Sequence, residues 1–179
     1  NFSGITNIID ALGGVEVDSP YEFTTLHGNY KIKKGVNELN GDQALCFVRE
    51  RYALPSGDFD RGKNQQRLLK AMLKKAMSPK IITNYSNILA AVEGSFETDM
   101  SSDDIKSLVN MQLDDMANWE MFNVQVTGDG AISYDTYSQK GKKTYITIPY
   151  KKSIQNIRKV IDKIEAGKKL TEADVKGLS

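Results

Sequence analysis

The chain reads CFVRERYALPSGDFDRGKNQQR from residue 46 to residue 67, and the fold is decided in this stretch. The apolar residues 46–48 are typical of a buried strand, which would lead directly into Arg49. Proline, serine and glycine at residues 55–57 indicate a loop. Beyond the loop, apolar residues recur at helical spacing on one side of a helix that runs to about Ala76. The stretch therefore predicts a strand, a loop and a helix in that order.

Arginine is concentrated in the same stretch. The sequence has 24 basic residues, and four of its five arginines (Arg49, Arg51, Arg61 and Arg67) lie here, whereas Arg158 lies far along the chain. In a strand Arg49 and Arg51 would point to one face, and Arg61 and Gln65 would share one face of the helix. Because free N–H groups at a helix N-terminus facing a strand end favour anions, we predict that these residues bind a diphosphate.

A structural role for the arginines is the competing interpretation. Glu50, Asp58 and Asp60 lie in the same stretch, and carboxylates so close in sequence often hold arginines in ion pairs. The spacing of the residues leaves both interpretations open.

The rest of the chain alternates between helical and strand-like patterns. This alternation predicts a layered α/β or α+β domain with one core. The expected elements are a helix over residues 2–12 ended by Gly13-Gly14, a strand at 15–17, a hairpin-like excursion at 21–32, a short helix at 40–45, a helix at 79–92, a helix capped by residues 101–104, strands at 119–126 and 145–148 separated by a turn at 128–130, a helix at 154–164 that ends at Gly167, and a frayed polar end.

Composition excludes several classes of function. The 179 residues carry a formal net charge of +1, which argues against a nucleic-acid binder. The single cysteine, Cys46, excludes an internal disulfide and a multi-cysteine zinc site. The single histidine, His27, excludes a histidine-rich metal site. No apolar run approaches the roughly 20 residues that span a bilayer, and the chain, which begins with Asn1, has the character of a piece cut from a longer protein.

Several short motifs resemble, in their order and spacing, the LytR–CpsA–Psr family of cell-envelope glycopolymer ligases, also known as cell-envelope-related transcriptional attenuators. The resemblance is dense from Phe2 to about Met77 and continues more weakly to the last helix. The motifs are Gly13-Gly14-Val15, Gly35, Leu39-Asn40-Gly41 before Ala44-Leu45, Arg49-x-Arg51, Asp58-x-x-Arg61 and Gln65-Gln66.

The resemblance implies a three-layer α/β/α sandwich with a mixed central sheet. Residues 1–166 would be the C-terminal part of the catalytic domain, with its N-terminal half missing, and residues 167–179 a polar tail. The resemblance places pyrophosphate binding on Arg49, Arg51, Arg61 and Gln65, and catalysis on the three arginines. It also implies a tunnel between sheet and helices for the lipid tail.

The implied activity is transfer of an anionic glycopolymer, either capsular polysaccharide or teichoic acid with a lean toward capsule, from a polyprenyl-pyrophosphate carrier to peptidoglycan. Mg²⁺ would be held by aspartates upstream of this chain, so no metal ligand is expected here. The full protein would be anchored in the cytoplasmic membrane, on its extracellular face, through a segment absent here. We expect this chain alone to be inactive without the upstream half of its domain.

Two observations qualify the resemblance. Asn64 stands where many members have another basic residue, which would soften the grip on the anion. The family's older name also suggests a DNA-binding attenuator, for which the helix carrying Lys63, Arg67, Lys70, Lys74 and Lys75 is the best candidate, although near-zero net charge argues against it. A non-catalytic domain that binds polyprenyl phosphate is the third alternative.

Overall fold

The computed structural model describes residues 2–91, 98–115 and 120–178. The chain divides into two compact units, Asn1–Trp119 and Glu120–Ser179, where the sequence predicted a single core. Among the residues that the structure describes, none of the helices has the length and apolar character needed to cross a bilayer.

The first unit begins with a helix and a hairpin-rich segment, which a series of helices follows. Its elements are α1 (Phe2–Ala11), β1 (Val15–Ser19), β2 (Phe23–Thr24), β3 (Lys31–Ile32), β4 (Gly35–Leu39), α2 (Gly41–Arg49), α3 (Asp58–Ala76), α4 (Pro79–Ile82), α5 (Tyr85–Ala91) and α6 (Ser102–Asp115).

The first helix and first strand lie where the sequence predicted them. Gly13 and Gly14 both have positive φ, at 74° and 83°, and end α1 in a conformation that glycine adopts at no steric cost. In β1, Val15 and Val17 are buried and Glu16 and Asp18 are exposed, as expected for a strand with one face on the core.

The strands of the first unit form two antiparallel pairs. β1 pairs with β4, with Val15 opposite Leu39, and β2 pairs with β3, so the predicted excursion is a short hairpin. Together with the hairpin of the second unit, the described residues contain three two-stranded antiparallel sheets. The prediction of a mixed central sheet in a three-layer sandwich is therefore wrong for this part of the chain, although its mixed α/β character is confirmed.

The core of the first unit lies between these strands and helices α1, α2 and α3. Phe47 is fully buried and stacks on Phe23, with ring centroids 6.0 Å apart. Burying such aromatic pairs stabilises a fold beyond the effect of the area removed from water. The core consists of Ile9, Val15, Val17, Phe23, Ile32, Leu39, Ala44, Phe47, Val48, Leu54, Leu68 and Ala71.

Residues 46–48 are helical, and the strand predicted there is wrong. Asn40 caps α2 by accepting from the Gln43 backbone N–H at 3.0 Å, and the Gln43 side chain accepts from the Asn40 N–H at 3.0 Å. This reciprocal cap starts a helix that runs without interruption to Arg49. The apolar residues of its second half are buried because they face the core, and burial alone does not distinguish a strand from a helix.

Helix α3 is longer at its start than its apolar pattern indicated, because Asp58 to Asn64 are also helical. The helix predicted from Pro79 is interrupted at Thr83-Asn84, which separates α4 from α5. Its predicted end at Val92 lies outside the described residues. Ser101 caps α6 as expected, since its side-chain oxygen accepts from the Asp104 N–H at 3.1 Å.

The second unit is a hairpin with two helices. β5 (Gly128–Ser133) pairs antiparallel with β6 (Thr144–Pro149), followed by α7 (Lys151–Glu165) and α8 (Glu172–Val175). The strand predicted over residues 119–126 is absent from the described residues 120–126, and the turn predicted at 128–130 is wrong because these residues are in β5. The predicted end of α7 at Gly167 is confirmed by its φ of 68°. The polar end is not wholly frayed, because Asp174 of α8 pairs with Lys163 at 2.6 Å.

Candidate functional site

The residues predicted to bind a diphosphate lie around the connection between α2 and α3. Arg49 is the last residue of α2, and Arg61 and Gln65 lie in the first turns of α3. We call residues 49–57 the arginine loop. Arg49, Arg51 and Gln65 are exposed, and Arg61 is half-buried, so all four side chains reach the surface.

Glu50 holds the arginine loop in shape. Its side chain is only 3% exposed. Oε1 accepts from the backbone N–H groups of Arg51, Tyr52 and Ala53 at 2.9, 2.8 and 3.0 Å, and Oε2 accepts from the Leu26 N–H at 2.6 Å. Burial would raise the pKa of the Glu50 carboxyl, but these four backbone hydrogen bonds outweigh it and hold the pKa below its ordinary value.

Arg51 is positioned by its neighbour Tyr52. The Arg51 guanidinium lies over the Tyr52 ring, 4.7 Å from the ring centroid, and its Nη2 donates to the phenol oxygen at 3.0 Å. A guanidinium stacked on an aromatic face is attracted by the ring quadrupole, which restricts its rotamers. The pair is exposed and open to a ligand.

The start of α3 brings Arg61 toward the loop. Gly57 has a φ of 52° and its carbonyl accepts from the Arg61 N–H at 3.1 Å. A Cβ at Gly57 would lie 3.8 Å from Arg51 Cγ, so Gly57 is the point where the chain near Arg51 meets the helix that carries Arg61. The Arg61 guanidinium pairs with the Asp58 carboxylate at 2.5 Å.

Gln65 joins the two helices. Its Nε2 donates to the Val48 carbonyl oxygen at 3.4 Å, next to Arg49 at the end of α2. This long hydrogen bond connects the second turn of α3 to Val48, the residue that precedes Arg49. The structure thus brings Gln65 beside Arg49, and Arg61 beside the end of the loop that carries Arg51.

Arg49 ends a helix rather than a strand, so the arginines gather where a helix C-terminus meets a helix N-terminus. Basic side chains are favourable near a helix C-terminus, whose carbonyl groups carry partial negative charge. The contacts of Gln65 with Val48 and of Gly57 with Arg51 bring the two helix ends near each other, and the binding role of these residues stays a prediction.

The competing interpretation, that acidic neighbours pair with the arginines, is confirmed for one of the three carboxylates. Asp58 pairs with Arg61. Glu50 accepts from backbone amides, and so does Asp60, which is 4% exposed and accepts from the Ser56 N–H at 2.8 Å. Asp60 therefore fixes the end of the arginine loop.

Asn64 lies on the buried side of α3. It is 1% exposed, and its Oδ1 accepts from Arg67 Nη1 at 2.9 Å. The Asn64 side chain therefore does not lie at the surface that Arg61 and Gln65 share, and the expectation that it weakens anion binding stays a prediction.

An apolar cavity of about 340 Å³ lies in the first unit, alongside the second half of α3. Its walls come from α1, α3, α4, α5 and α6, and almost all of the exposed area inside it is apolar. We call it the α3 cavity. It is lined by Ile8, Leu12, Leu69, Met72, Leu73, Ala76, Met77, Ile81, Ile82, Tyr85, Ile88, Leu89, Ile105 and Val109.

The described residues do not supply a magnesium site. Across residues 2–91, 98–115 and 120–178, no three histidine, cysteine or acidic side chains are grouped so that they could hold a metal ion. Near the arginines, Asp58 and Asp60 are engaged with Arg61 and Ser56. The chain's own residues here therefore do not fit the cation that the resemblance implies.

Comparison with known proteins identifies the family. The model of the LytR_cpsA_psr family matches residues 1–167. A polyisoprenyl-teichoic acid–peptidoglycan teichoic acid transferase, TagU of Bacillus cereus strain AH820, is 35% identical over 130 residues, which make up 73% of this chain and 42% of that protein. The crystal structure of B. subtilis TagV superposes with a TM-score of 0.72 at 23% identity, covering 95% of this chain and 63% of TagV. A structure of TagT bound to LI-WTA superposes with a TM-score of 0.64 at 20% identity, covering 98% of this chain and 58% of TagT.

The chain has the mixed α/β fold seen in TagV and TagT, and it belongs to the LytR_cpsA_psr family, as its motifs predicted. The family match runs from residue 1 to residue 167, so it does not support the expectation that the chain holds only the second half of the domain. The chain spans 42% of the length of TagU.

Proposed function

We propose that the protein containing this chain is a phosphotransferase that moves an anionic glycopolymer from a polyprenyl-pyrophosphate carrier to peptidoglycan. Family membership and the name of the relative TagU support this proposal. The observation that carries it is the arrangement of polar and apolar side chains along α3.

One face of α3 changes from polar to apolar along its length. Arg61, Gln65, Leu69, Met72 and Ala76 follow one another at three- or four-residue intervals, so they share a face of the helix. At a rise of about 1.5 Å per residue, Arg61 lies about 12 Å along the axis from Leu69, where the α3 cavity begins. This face suits an amphiphile with a charged head and a long apolar tail, as a polyprenyl pyrophosphate has.

The arginines would bind the head of the donor. Guanidinium groups offer paired donors that match phosphate oxygens, and Arg49, Arg51 and Arg61 supply three such groups around one loop. Gln65 would donate its amide N–H to a further oxygen. The prenyl chain would then enter the α3 cavity, where the polarizable side chains of Met72 and Met77 adapt to an irregular apolar ligand.

The reaction would displace the lipid phosphate from the pyrophosphate. A hydroxyl of peptidoglycan attacks the phosphorus nearer to the glycopolymer and loses its proton, the bond to the bridging oxygen breaks, and polyprenyl phosphate leaves with that oxygen. The polymer ends in a phosphodiester link to peptidoglycan. Arg49, Arg51 and Arg61 stabilise the charge that develops on the phosphoryl oxygens, which is the principal catalytic demand of phosphoryl transfer.

Asp58 is the better of the two candidate bases. Its side chain is 54% exposed and lies at Arg61, whereas the buried Asp60 is engaged by Ser56. An exposed carboxylate next to the arginines could accept the proton of the attacking hydroxyl if the substrate brings that hydroxyl within hydrogen-bond distance.

Teichoic acid is the polymer that we favour over capsular polysaccharide, because the relative TagU is named for teichoic acid transfer. We also propose that the protein acts at the outer face of the cytoplasmic membrane, anchored by a segment outside this chain, since both substrates of the reaction are envelope polymers. Mg²⁺ remains part of the proposal, with ligands from outside the described residues.

The test is removal of single arginines in the full-length protein. Arg51→Ala and Arg61→Ala should each lower transfer of a lipid-linked glycopolymer at least about 100-fold, since each removes a charge that the transition state requires. Arg158→Ala, an exposed arginine of α7, is the matched control. The assay follows attachment of radiolabelled polymer to peptidoglycan. Unchanged attachment in both variants would contradict the assignment of these residues.

Two further measurements separate the alternatives. Affinity for polyprenyl pyrophosphate without any turnover would indicate a binding domain rather than a transferase. Salt-sensitive affinity for duplex DNA, lost when Lys70 and Lys74 are replaced by alanine, would indicate the attenuator.

A further inference from the structure

We propose that Glu50 is a positioning residue that sets the arginine loop in its ligand-binding shape before the ligand arrives. The proposal rests on the proposed function, because it concerns how the same arginines meet the pyrophosphate. Two observations support it: the Glu50 carboxylate is buried, and all four groups that donate hydrogen bonds to it are backbone N–H groups.

A buried carboxylate is costly unless its oxygens are satisfied. Glu50 is 3% exposed, and its two oxygens accept from four backbone N–H groups at 2.6 to 3.0 Å. All four donors are backbone amides, so none of these contacts occupies an arginine side chain. The arrangement stabilises the charge of Glu50 while Arg51 keeps its guanidinium at the surface.

Three of the donors are consecutive. The N–H groups of Arg51, Tyr52 and Ala53 converge on a single oxygen, Oε1, which fixes the backbone dihedral angles of these residues. The direction in which the Arg51 side chain leaves the backbone is fixed with them. Arg49 immediately precedes Glu50 and ends α2, so one residue lies between the two arginines and determines the turn that separates them.

The fourth donor belongs to a distant part of the sequence. Leu26 lies 24 residues before Glu50, in the connection between β2 and β3. That connection is held by Thr25, which is 1% exposed and whose hydroxyl donates to the His27 carbonyl at 2.6 Å and accepts from the Tyr30 N–H at 3.0 Å. Through Oε2, Glu50 therefore connects the arginine loop to the β2–β3 hairpin, and the hydrogen bonds of Thr25 hold that hairpin in place.

This preorganisation should matter for binding. A loop that is already ordered loses less conformational entropy when it closes on a ligand, and small displacements of a charged group from its productive position reduce catalysis strongly. Removing the Glu50 carboxylate should thus lower the affinity for pyrophosphate even in a variant that keeps the fold.

The test uses the full-length protein and two substitutions. Glu50→Gln keeps the shape but turns one acceptor oxygen into a donor, and Glu50→Asp keeps the charge but shortens the reach. Both should raise the Kd for inorganic pyrophosphate about tenfold or more. Glu22→Gln removes an exposed carboxylate from the same hairpin region and should leave the Kd unchanged. The Kd is measured by calorimetry on protein whose folded state is verified by circular dichroism, so a smaller folded fraction does not alter it.

Hydrogen exchange supplies a second measurement that needs no variant. In the ligand-free protein the amides of Arg51, Tyr52 and Ala53 should exchange slowly, because they are already bonded to Glu50. Fast exchange of all three that becomes slow only after pyrophosphate is added would overturn the proposal, even if both Glu50 variants fail to fold.

The outcomes also separate this proposal from the proposed function. If the unaltered protein neither binds pyrophosphate nor transfers polymer, the proposed function fails. If it does both, and Arg61→Ala abolishes them while both Glu50 variants retain the Kd of the unaltered protein, only the role of Glu50 is wrong.

Discussion

The arginine loop and the α3 cavity lie toward opposite ends of the same helix and are held by different forces. Individual hydrogen bonds to Glu50 and Asp60 hold the loop, whereas apolar side chains from five helices line the cavity. Hydrogen bonds depend on particular atoms and apolar packing depends on total volume. Changes of charge should therefore affect the loop, and changes of volume should affect the cavity.

Acid should loosen the loop and leave the cavity intact, and this is the largest of the three effects that we expect to distinguish the two regions. The pKa of Glu50 is below its ordinary value in the folded protein. Its ionised form therefore adds stability that is fully present above the unfolded-state pKa of about 4.3 and is lost as the pH falls through the folded-state pKa. At pH 7 the free energy of unfolding of Glu50→Gln should be lower than that of the unaltered protein by about 1–3 kcal/mol.

Urea unfolding between pH 7 and pH 3 measures this difference. It should shrink as the pH falls, because protonated Glu50 resembles glutamine. A difference that stays constant over the whole range would show that the charge of Glu50 does not support the loop. Glu22→Gln again serves as the exposed control.

Added volume should affect the cavity and leave the loop intact. Ala76→Phe places a ring in the α3 cavity. Displacing about two methylene groups of a prenyl chain costs about 1.5 kcal/mol, so the affinity for polyprenyl pyrophosphate should fall roughly tenfold. The affinity for inorganic pyrophosphate should not change. Ala90→Phe, on an exposed position of α5, controls for the added ring, and equal losses for both ligands would contradict the separation of head and tail sites.

Gln65 lies between the two regions and should have the smallest effect. Its contact with the Val48 carbonyl is long, at 3.4 Å, and a net hydrogen bond contributes about 0.5–1.5 kcal/mol. Gln65→Ala should therefore weaken binding of either ligand by a few-fold, measured by the same calorimetry. Gln155→Ala in α7 is the matched control. A loss as large as that of Arg61→Ala would show that Gln65 contributes a principal contact to the phosphate.

Much of the helical structure could be predicted because it depends on local patterns. Helices α1 and α7 could be predicted from the periodicity of their apolar residues and from the glycines that end them. The start of α6 could be predicted from its serine cap. The α2 helix was missed in its second half because Phe47 and Val48 are buried, and a short apolar run has the same composition in a buried helix as in a buried strand.

The glycines of β5 were misinterpreted for a related reason. Gly128 lies in β5, at a position where a Cβ would collide with the Ile148 carbonyl oxygen of β6, so glycine is the residue that fits there. Glycine at this position reflects the close approach of the paired strand, whereas the sequence alone suggested a turn.

The position of the arginines was predictable, but their support was not. Arg49, Arg51, Arg61 and Gln65 are close in the sequence and were expected to be close in space, although the strand alternation used for Arg49 and Arg51 is wrong because Arg49 ends a helix. Glu50 accepts a hydrogen bond from the N–H of Leu26, 24 residues away, and nothing in the sequence links the two. Such long-range bonds become visible only when the fold has brought the segments together.

Because these residues share one face of α3, the helix would also fix the distance between the head and the tail of the proposed lipid donor. Each residue adds about 1.5 Å and turns the face by about 100°. An insertion of two residues between Gln65 and Leu69 would rotate the cavity lining to another side of the helix. An insertion of eleven, close to three full turns, would restore the phase and lengthen the distance from head site to tail site by about 16 Å. Under the proposed function, the spacing between Arg61 and Leu69 would set both the length and the angle that a lipid carrier must match.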